Sequence, residues 1–278
     1  MADVRDIPLT DGRTVRAHDG GPPDAPLTLL WHHGSPQTGA LLDPLVAATA
    51  QRDVRLVSYA RPSYGGSSPN PGRDVASAAR DVEQIAEALG IDRFAVMGAS
   101  GGGPHALACA GLLGERVWGA VCLASPAPLT DDFDWFAGMI SPGGLRSALR
   151  GREARAHHAQ TAAFDTDSFT AADWAALRGD WTSLAADAGR AGAEGPAGLV
   201  DDDLAFISPW GFVVDEIGVP VLLVHGGEDR VVPATHSDWL AAHCPRSELW
   251  SRPADGHVSV LDACPAAIDW LIARADPG

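Results

Sequence analysis

The stretch Phe94-Ala95-Val96-Met97-Gly98-Ala99-Ser100-Gly101-Gly102-Gly103-Pro104-His105 decides how the chain is read. A short apolar run leads through Gly98-Ala99-Ser100-Gly101-Gly102 into an Ala-rich helix expected from near Gly101. Gly-x-Ser-x-Gly between a strand and a helix is the nucleophile-elbow pattern. Glycines two before and two after Ser100 let strand and helix pass closely, and the sharp turn pushes the hydroxyl out at the top of a sheet. The backbone N–H of Gly101, at the helix start, then faces an oxygen under attack by Ser100. For the pentapeptide alone, a glycine-rich turn with an incidental serine competes with this reading. The strand before it and the helix after it favour the elbow.

Working outward, Val4 to Pro8 and Thr14 to Ala17 read as a hairpin around Asp11-Gly12. Leu27 to Trp31 is a continuous apolar run of the kind a strand buried on both faces produces. It ends in His32-His33-Gly34-Ser35-Pro36, a turn that can present the Ser35 N–H as a second oxyanion donor. The His33 side chain is read as a structural hydrogen-bonder there, and no third ligand is spaced to make His32 and His33 a metal site. A helix from about Leu41 to Gln51 and a strand Val54 to Tyr59 follow. Asp74 is placed to cap a helix whose apolar positions Val75, Ala78, Val82, Ile85 and Leu89 keep a period near 3.6, with Gly90 ending it. Another strand, Val117 to Ala124, follows the elbow helix.

After Ser125-Pro126-Ala127-Pro128 the strand signal nearly vanishes until about Ile217. Helix-like pieces replace it, one from Ser141-Pro142 and one from Thr170 towards Ala188, with Trp135, Phe136, Met139, Trp174, Trp181, Phe206, Trp210 and Phe212 among them. Residues 1–128 and 217–278 are therefore expected to form one core domain, and 129–216 a helical insertion over the sheet. Most of those aromatics are expected to pack against the core. Alternation resumes with the apolar strand Val219 to His225, then Gly226-Gly227-Glu228-Asp229-Arg230, a helix to about His243, a strand Glu248 to Ser251, and Asp255-Gly256-His257. A terminal helix presents Val260, Leu261, Cys264, Ile268 and Leu271 on one face. Strands alternating with helices indicate an α/β protein with a parallel, doubly wound sheet.

Composition narrows the function. Twenty basic residues, all arginine, against 36 acidic ones leave a net charge of −16. Such a surface repels phosphate backbones, so no nucleic-acid partner is expected. No stretch approaches the roughly 18 to 20 apolar residues of a membrane helix. Met1 to Gly20 lacks the apolar core of a secretory leader, so a cytoplasmic location is the expectation. Cys109, Cys122, Cys244 and Cys264 fall in apolar segments without metal-type spacing and read as buried free thiols. No metal is expected; the partner is a small-molecule substrate, with the chain a monomer or homodimer.

Ser100, Asp229 and His257 each follow a strand, at the edge where open α/β sheets place their sites. Serine is a weak nucleophile at neutral pH; an imidazole must take its proton, and a carboxylate must hold that imidazole in the right tautomer. Glu228 rivals Asp229 for the acid, and Asp131 is a weaker rival. With these residues in view, the chain resembles the α/β-hydrolase superfamily. The matching pieces are His33-Gly34-Ser35-Pro36, Arg61-Pro62-Ser63-Tyr64-Gly65-Gly66-Ser67, the elbow, His225-Gly226-Gly227-Glu228-Asp229 with Val232-Pro233, and Gly256-His257. The resemblance points closest to the esterase, cofactor-free haloperoxidase and prolyl-aminopeptidase-like branches. It implies the α/β-hydrolase fold, with an eight-stranded, mostly parallel sheet, helices on both faces, a helical cap and no cofactor. His33-Gly34-Ser35-Pro36-Gln37 departs from the aminopeptidases' His-Gly-Gly-Pro-Gly, and a serine at position 100 excludes enzymes that use an aspartate nucleophile.

The expected activity is a serine hydrolase cleaving an ester, thioester or amide through an acyl-enzyme, with Ser100, Asp229 and His257 catalytic and the Ser35 and Gly101 amides as oxyanion hole. A lyase or cyclase using the His257–Asp229 pair as base, and a non-catalytic ligand-binding module, are the alternatives. The insertion carries 15 Asp and Glu against 6 Arg. A substrate uncharged near the scissile bond and mainly apolar is therefore expected. Arg146, Arg150, Arg152 and Arg155 with His157 and His158 form a basic run, read as a solvated helix face rather than a carboxylate holder.

Overall fold

The structure, a computed structural model, describes residues 3–275. In chain order the elements before the elbow are β1 (Asp3–Pro8), β2 (Thr14–Gly20), β3 (Leu27–His32), α1 (Asp43–Ala50), β4 (Val54–Tyr59) and α2 (Ser77–Ala88). They continue with β5 (Phe94–Ala99), α3 (Gly103–Leu112) and β6 (Val117–Leu123). Five helices then intervene: α4 (Gly143–Ala148), α5 (Arg152–Thr161), α6 (Ala171–Arg178), α7 (Thr182–Glu194) and α8 (Ala197–Phe206). The chain closes with β7 (Val221–Gly226), α9 (Thr235–His243), β8 (Ser247–Arg252) and α10 (Cys264–Ala275).

The eight strands form one sheet in the order β1-β2-β4-β3-β5-β6-β7-β8. The β1–β2 and β2–β4 junctions are antiparallel, and the other five are parallel. Every residue of β3, β4, β5 and β7 is buried, as parallel strands covered by helices on both faces require. Alternate residues serve opposite faces. Leu30, Val57 and Val96 join one cluster with Val82 and Ile85 of α2 and Leu107 of α3. Leu29, Leu56 and Met97 join another with Leu45 of α1 and Ile268 and Leu271 of α10. This period of two puts the chain's most apolar segments at the centre of a three-layer fold.

Asp74 accepts the Ser77 N–H at 2.8 Å at the start of α2, and Gly90 follows the helix at φ +66°. Two helical segments differ from the periodicity reading. The piece from Thr170 towards Ala188 is two helices, because Gly179 ends α6 and Trp181 leaves the helical path to pack in the core, its indole donating to Asp262 at 2.8 Å. The terminal helix starts at Cys264, after a 3-10 turn over Ser259–Ala263, with Pro265 in its first turn, where a missing N–H costs nothing. Among the aromatics between β6 and β7, Trp135, Trp181, Phe206 and Trp210 are buried, and Phe206 and Trp210 belong to the main core. Among the described residues, no helix is long and apolar enough to cross a membrane.

Candidate active site

The end of β5 delivers Ser100 at φ +52°, the left-handed conformation that an L-residue holds only under constraint. Close approach makes the glycines obligatory. A Cβ on Gly102 would lie 2.0 Å from the His32 carbonyl oxygen, and one on Gly98 2.4 Å from that of Gly102. Behind Ser100 a 3-10 turn over Ser100–Gly102 runs into α3.

The loops after β7 and β8 bring the other two groups to it. His257 Nε2 is 3.0 Å from Ser100 Oγ, and His257 Nδ1 is 2.8 Å from Asp229 Oδ2. An ionised carboxylate only accepts, so Nδ1 carries the proton and Nε2 presents its lone pair to the serine hydroxyl. Asp229 is held rigidly: its Oδ1 accepts the N–H groups of Val231 and Val232, both at 2.9 Å. Burial pushes the Asp229 carboxyl up, but His257, together with His225 at 3.4 Å, outweighs it and leaves the group below its ordinary range. For His257 burial acts downward, and the Asp229 charge and hydrogen bond, with Asp173, overcome it, so the imidazole lies above its usual value. Glu228 and Asp131 are exposed and outside this chain of hydrogen bonds.

On the opposite side of Ser100 stands the turn after β3. A Cβ on Gly101 would meet Ser35 Oγ at 2.5 Å, so the two proposed oxyanion residues face each other. His33 is a structural group: Nδ1 donates to the Gly34 carbonyl at 2.6 Å, and Nε2 accepts the Arg61 N–H at 3.1 Å. Burial, aided by Arg61, holds it well below the usual histidine value.

Two carboxylates of the inserted helices support these loops and went unrecognised in the sequence. Asp202 of α8 accepts from Ser35 Oγ at 2.5 Å, Tyr64 OH at 2.9 Å, Arg61 Nη2 at 2.7 Å and Arg73 Nη2 at 2.5 Å. Arg61 also donates to the His33 carbonyl and, at 3.3 Å, to that of Gly34. Burial opposes ionisation of Asp202, yet Arg61 and Arg73 hold it well below the carboxylate range. Asp173 of α6 works on the other loop. Its Oδ2 completes a capping box with Thr170, while its Oδ1 accepts the N–H groups of Val258 and Ser259, both at 2.8 Å. The residue after His257 is thus tied to an inserted helix. A carboxylate three residues after Thr170 was the available sequence signal for the cap, though not for its second use.

Ser35, Ser100 and His257 open into a cavity of about 630 Å³. Its apolar walls come from both parts of the chain, through Phe164, Phe169, Leu177 and Leu184 of the insertion and Trp31, Leu42 and Leu261 of the core. Phe169 lies parallel to the His257 ring at 6.5 Å. The basic run divides: Arg150 is exposed and Arg152 pairs with Asp201, whereas Arg155 is buried against Asp203 and lines the cavity. The expectation of a solvated face fails at Arg155, because Asp203 draws it inward.

A family model described as alpha/beta hydrolase fold matches residues 28–263. The chain is 29% identical over 234 residues to a non-heme chloroperoxidase of Streptomyces lividans, covering 82% of this chain and 83% of that protein. It is likewise 29% identical over 237 residues to a pimeloyl-[acyl-carrier protein] methyl ester esterase of Nitrosomonas europaea, covering 84% and 89%. Among solved structures, a hydrolase from Pseudomonas aeruginosa PA01 superposes with a TM-score of 0.74 at 19% identity, covering 99% of both chains. With the sheet order, the strained serine at the end of β5 and a family match spanning most of its length, the chain belongs to the α/β-hydrolase fold family.

Proposed function

We propose that the protein is a serine hydrolase that cleaves an ester of a small to medium, mainly apolar substrate through an acyl-enzyme. The observation that carries this is the unbroken chain Asp229–His257–Ser100, at 2.8 and 3.0 Å, on the wall of a mostly apolar cavity. His257 takes the hydroxyl proton as Ser100 Oγ attacks the substrate carbonyl. The Ser35 and Gly101 amides receive the oxyanion, the imidazolium protonates the departing alcohol, and water repeats the sequence on the acyl-enzyme to release the acid. Residues 129–216 act as a cap over the site, supplying part of its walls. The esterase named among the relatives supports the reaction class.

The test is turnover of acyl p-nitrophenyl esters of graded chain length, with Ser100→Ala as control. Protonated His257 cannot accept the serine proton, so the rate is low in acid, rises with pH and then levels off. Because the imidazole lies above its ordinary value, that rise is centred above the usual histidine titration. Asp173→Asn removes a negative charge that favours the imidazolium and moves the rise to lower pH. If Asp173 only shaped the loop, the rate would fall without a shift. Hydrolysis that survives in Ser100→Ala, or a profile flat from acid to neutral pH, overturns the proposal.

A further inference from the structure

Among the described residues, three buried hydrogen-bond donors without an acceptor belong to residues lining the cavity: Trp31 Nε1, Gln37 Nε2 and Arg155 Nη1. An unpaired buried donor keeps its desolvation penalty uncompensated, and each such group calls for a reason. All three lack the same thing, an acceptor. Arg155 is the one that carries charge. Its side chain is 5% exposed, and among the described residues it makes a single hydrogen bond, Nε to Asp203 Oδ2 at 2.5 Å. The Nη1–Nη2 edge is left unpaired, and that edge of a guanidinium matches a carboxylate with two parallel bonds.

We propose that Arg155 is a carboxylate-binding residue of the active-site cavity, and that the substrates are esters carrying a free carboxylate beyond an apolar spacer. This rests on the serine-hydrolase reading and narrows its substrate class. Phe164, Phe169 and Leu177 provide the lining a spacer needs. Asp203 engages the guanidinium through Nε alone and leaves the Nη1–Nη2 edge for a second carboxylate; burial pushes the Asp203 carboxyl up to about 6, although Arg155 opposes the rise. The acidic insertion disfavours anions in general, so the local cation supplies the selectivity.

Calorimetric binding to Ser100→Ala, which leaves esters intact, tests this without relying on turnover. The probes are the monomethyl esters of succinate, adipate and suberate, each against the methyl ester of the monocarboxylic acid of equal length. At least one half-ester is expected to bind about tenfold or more tightly than its neutral partner, the factor of a charge-assisted hydrogen bond. Arg155→Met in the same background should erase the preference, and Asp203→Asn should widen it by removing the competing carboxylate. If Arg155→Met does not fold, Arg155→Lys, which keeps the charge and the contact to Asp203 but loses the two-bond edge, decides: the preference should fall severalfold, and an unchanged preference overturns the proposal. No preference for any half-ester, or one that survives Arg155→Met, overturns the proposal. Cleavage of neutral esters through Ser100 with no half-ester preference removes the carboxylate subsite alone. A binding preference without turnover of any ester removes the hydrolase reading alone.

Discussion

Asp229→Asn is expected to lower kcat by about 10⁴-fold while leaving a folded protein, a loss of about 5.5 kcal/mol of transition-state stabilisation. The asparagine oxygen can still accept the Val231 and Val232 amides that hold the loop. Its NH₂ then faces His257 Nδ1 and drives the imidazole proton to Nε2, where it points at Ser100 instead of leaving a lone pair there. The base is thus in place but in the wrong tautomer. Glu228→Gln, at an exposed neighbour outside the hydrogen-bond chain, is expected to leave kcat nearly unchanged. Steady-state rates with circular dichroism as the folding check compare the two. Greater damage from Glu228→Gln would show that the acid has been misassigned.

The largest expected effect on stability is that of Asp202→Ala, about 3–5 kcal/mol, as when one partner is removed from a buried ion cluster. Arg61 and Arg73 have side chains 1% exposed, and Asp202 is the shared carboxylate between them. Its loss leaves two guanidinium groups buried with little compensation, and frees the Ser35 hydroxyl and Tyr64 as well. Asp6→Ala breaks an ion pair exposed on both sides and should cost no more than about 1 kcal/mol. Urea unfolding reads both, through a lower midpoint at unchanged slope. A shift for Asp202→Ala as small as that for Asp6→Ala would contradict the picture of a charge cluster holding the turn at Ser35.

The parts of the site legible in the sequence are those that follow strands. His257 follows β8, whose residues are exposed or half-buried, but Ser100 and Asp229 come just after buried runs, where local pattern alone marks the sheet edge. The same holds for the turn at Ser35 and for the sheet itself. The inserted helices were not legible in this way, because what matters in them is set by partners distant in sequence. Nothing local separates Arg155 from Arg150; burial of Arg155 follows from Asp203, which lies three helices later. Asp173 reads as a helix cap, and only the fold reveals that its second oxygen anchors the His257 loop. The aromatics conspicuous in sequence, such as Trp135 and Trp210, pack inside, while Phe164 and Phe169 line the cavity.

Covalent trapping tests the role of Ser100 most directly. Incubation with an organophosphorus or sulfonyl fluoride reagent, followed by intact-mass analysis and peptide mapping, should show one adduct on the peptide containing Ser100. That adduct should be absent from Ser100→Ala and strongly slowed in Asp229→Asn. Labelling of a different serine, or no labelling under conditions where the esters are hydrolysed, would contradict an acyl-enzyme formed at Ser100.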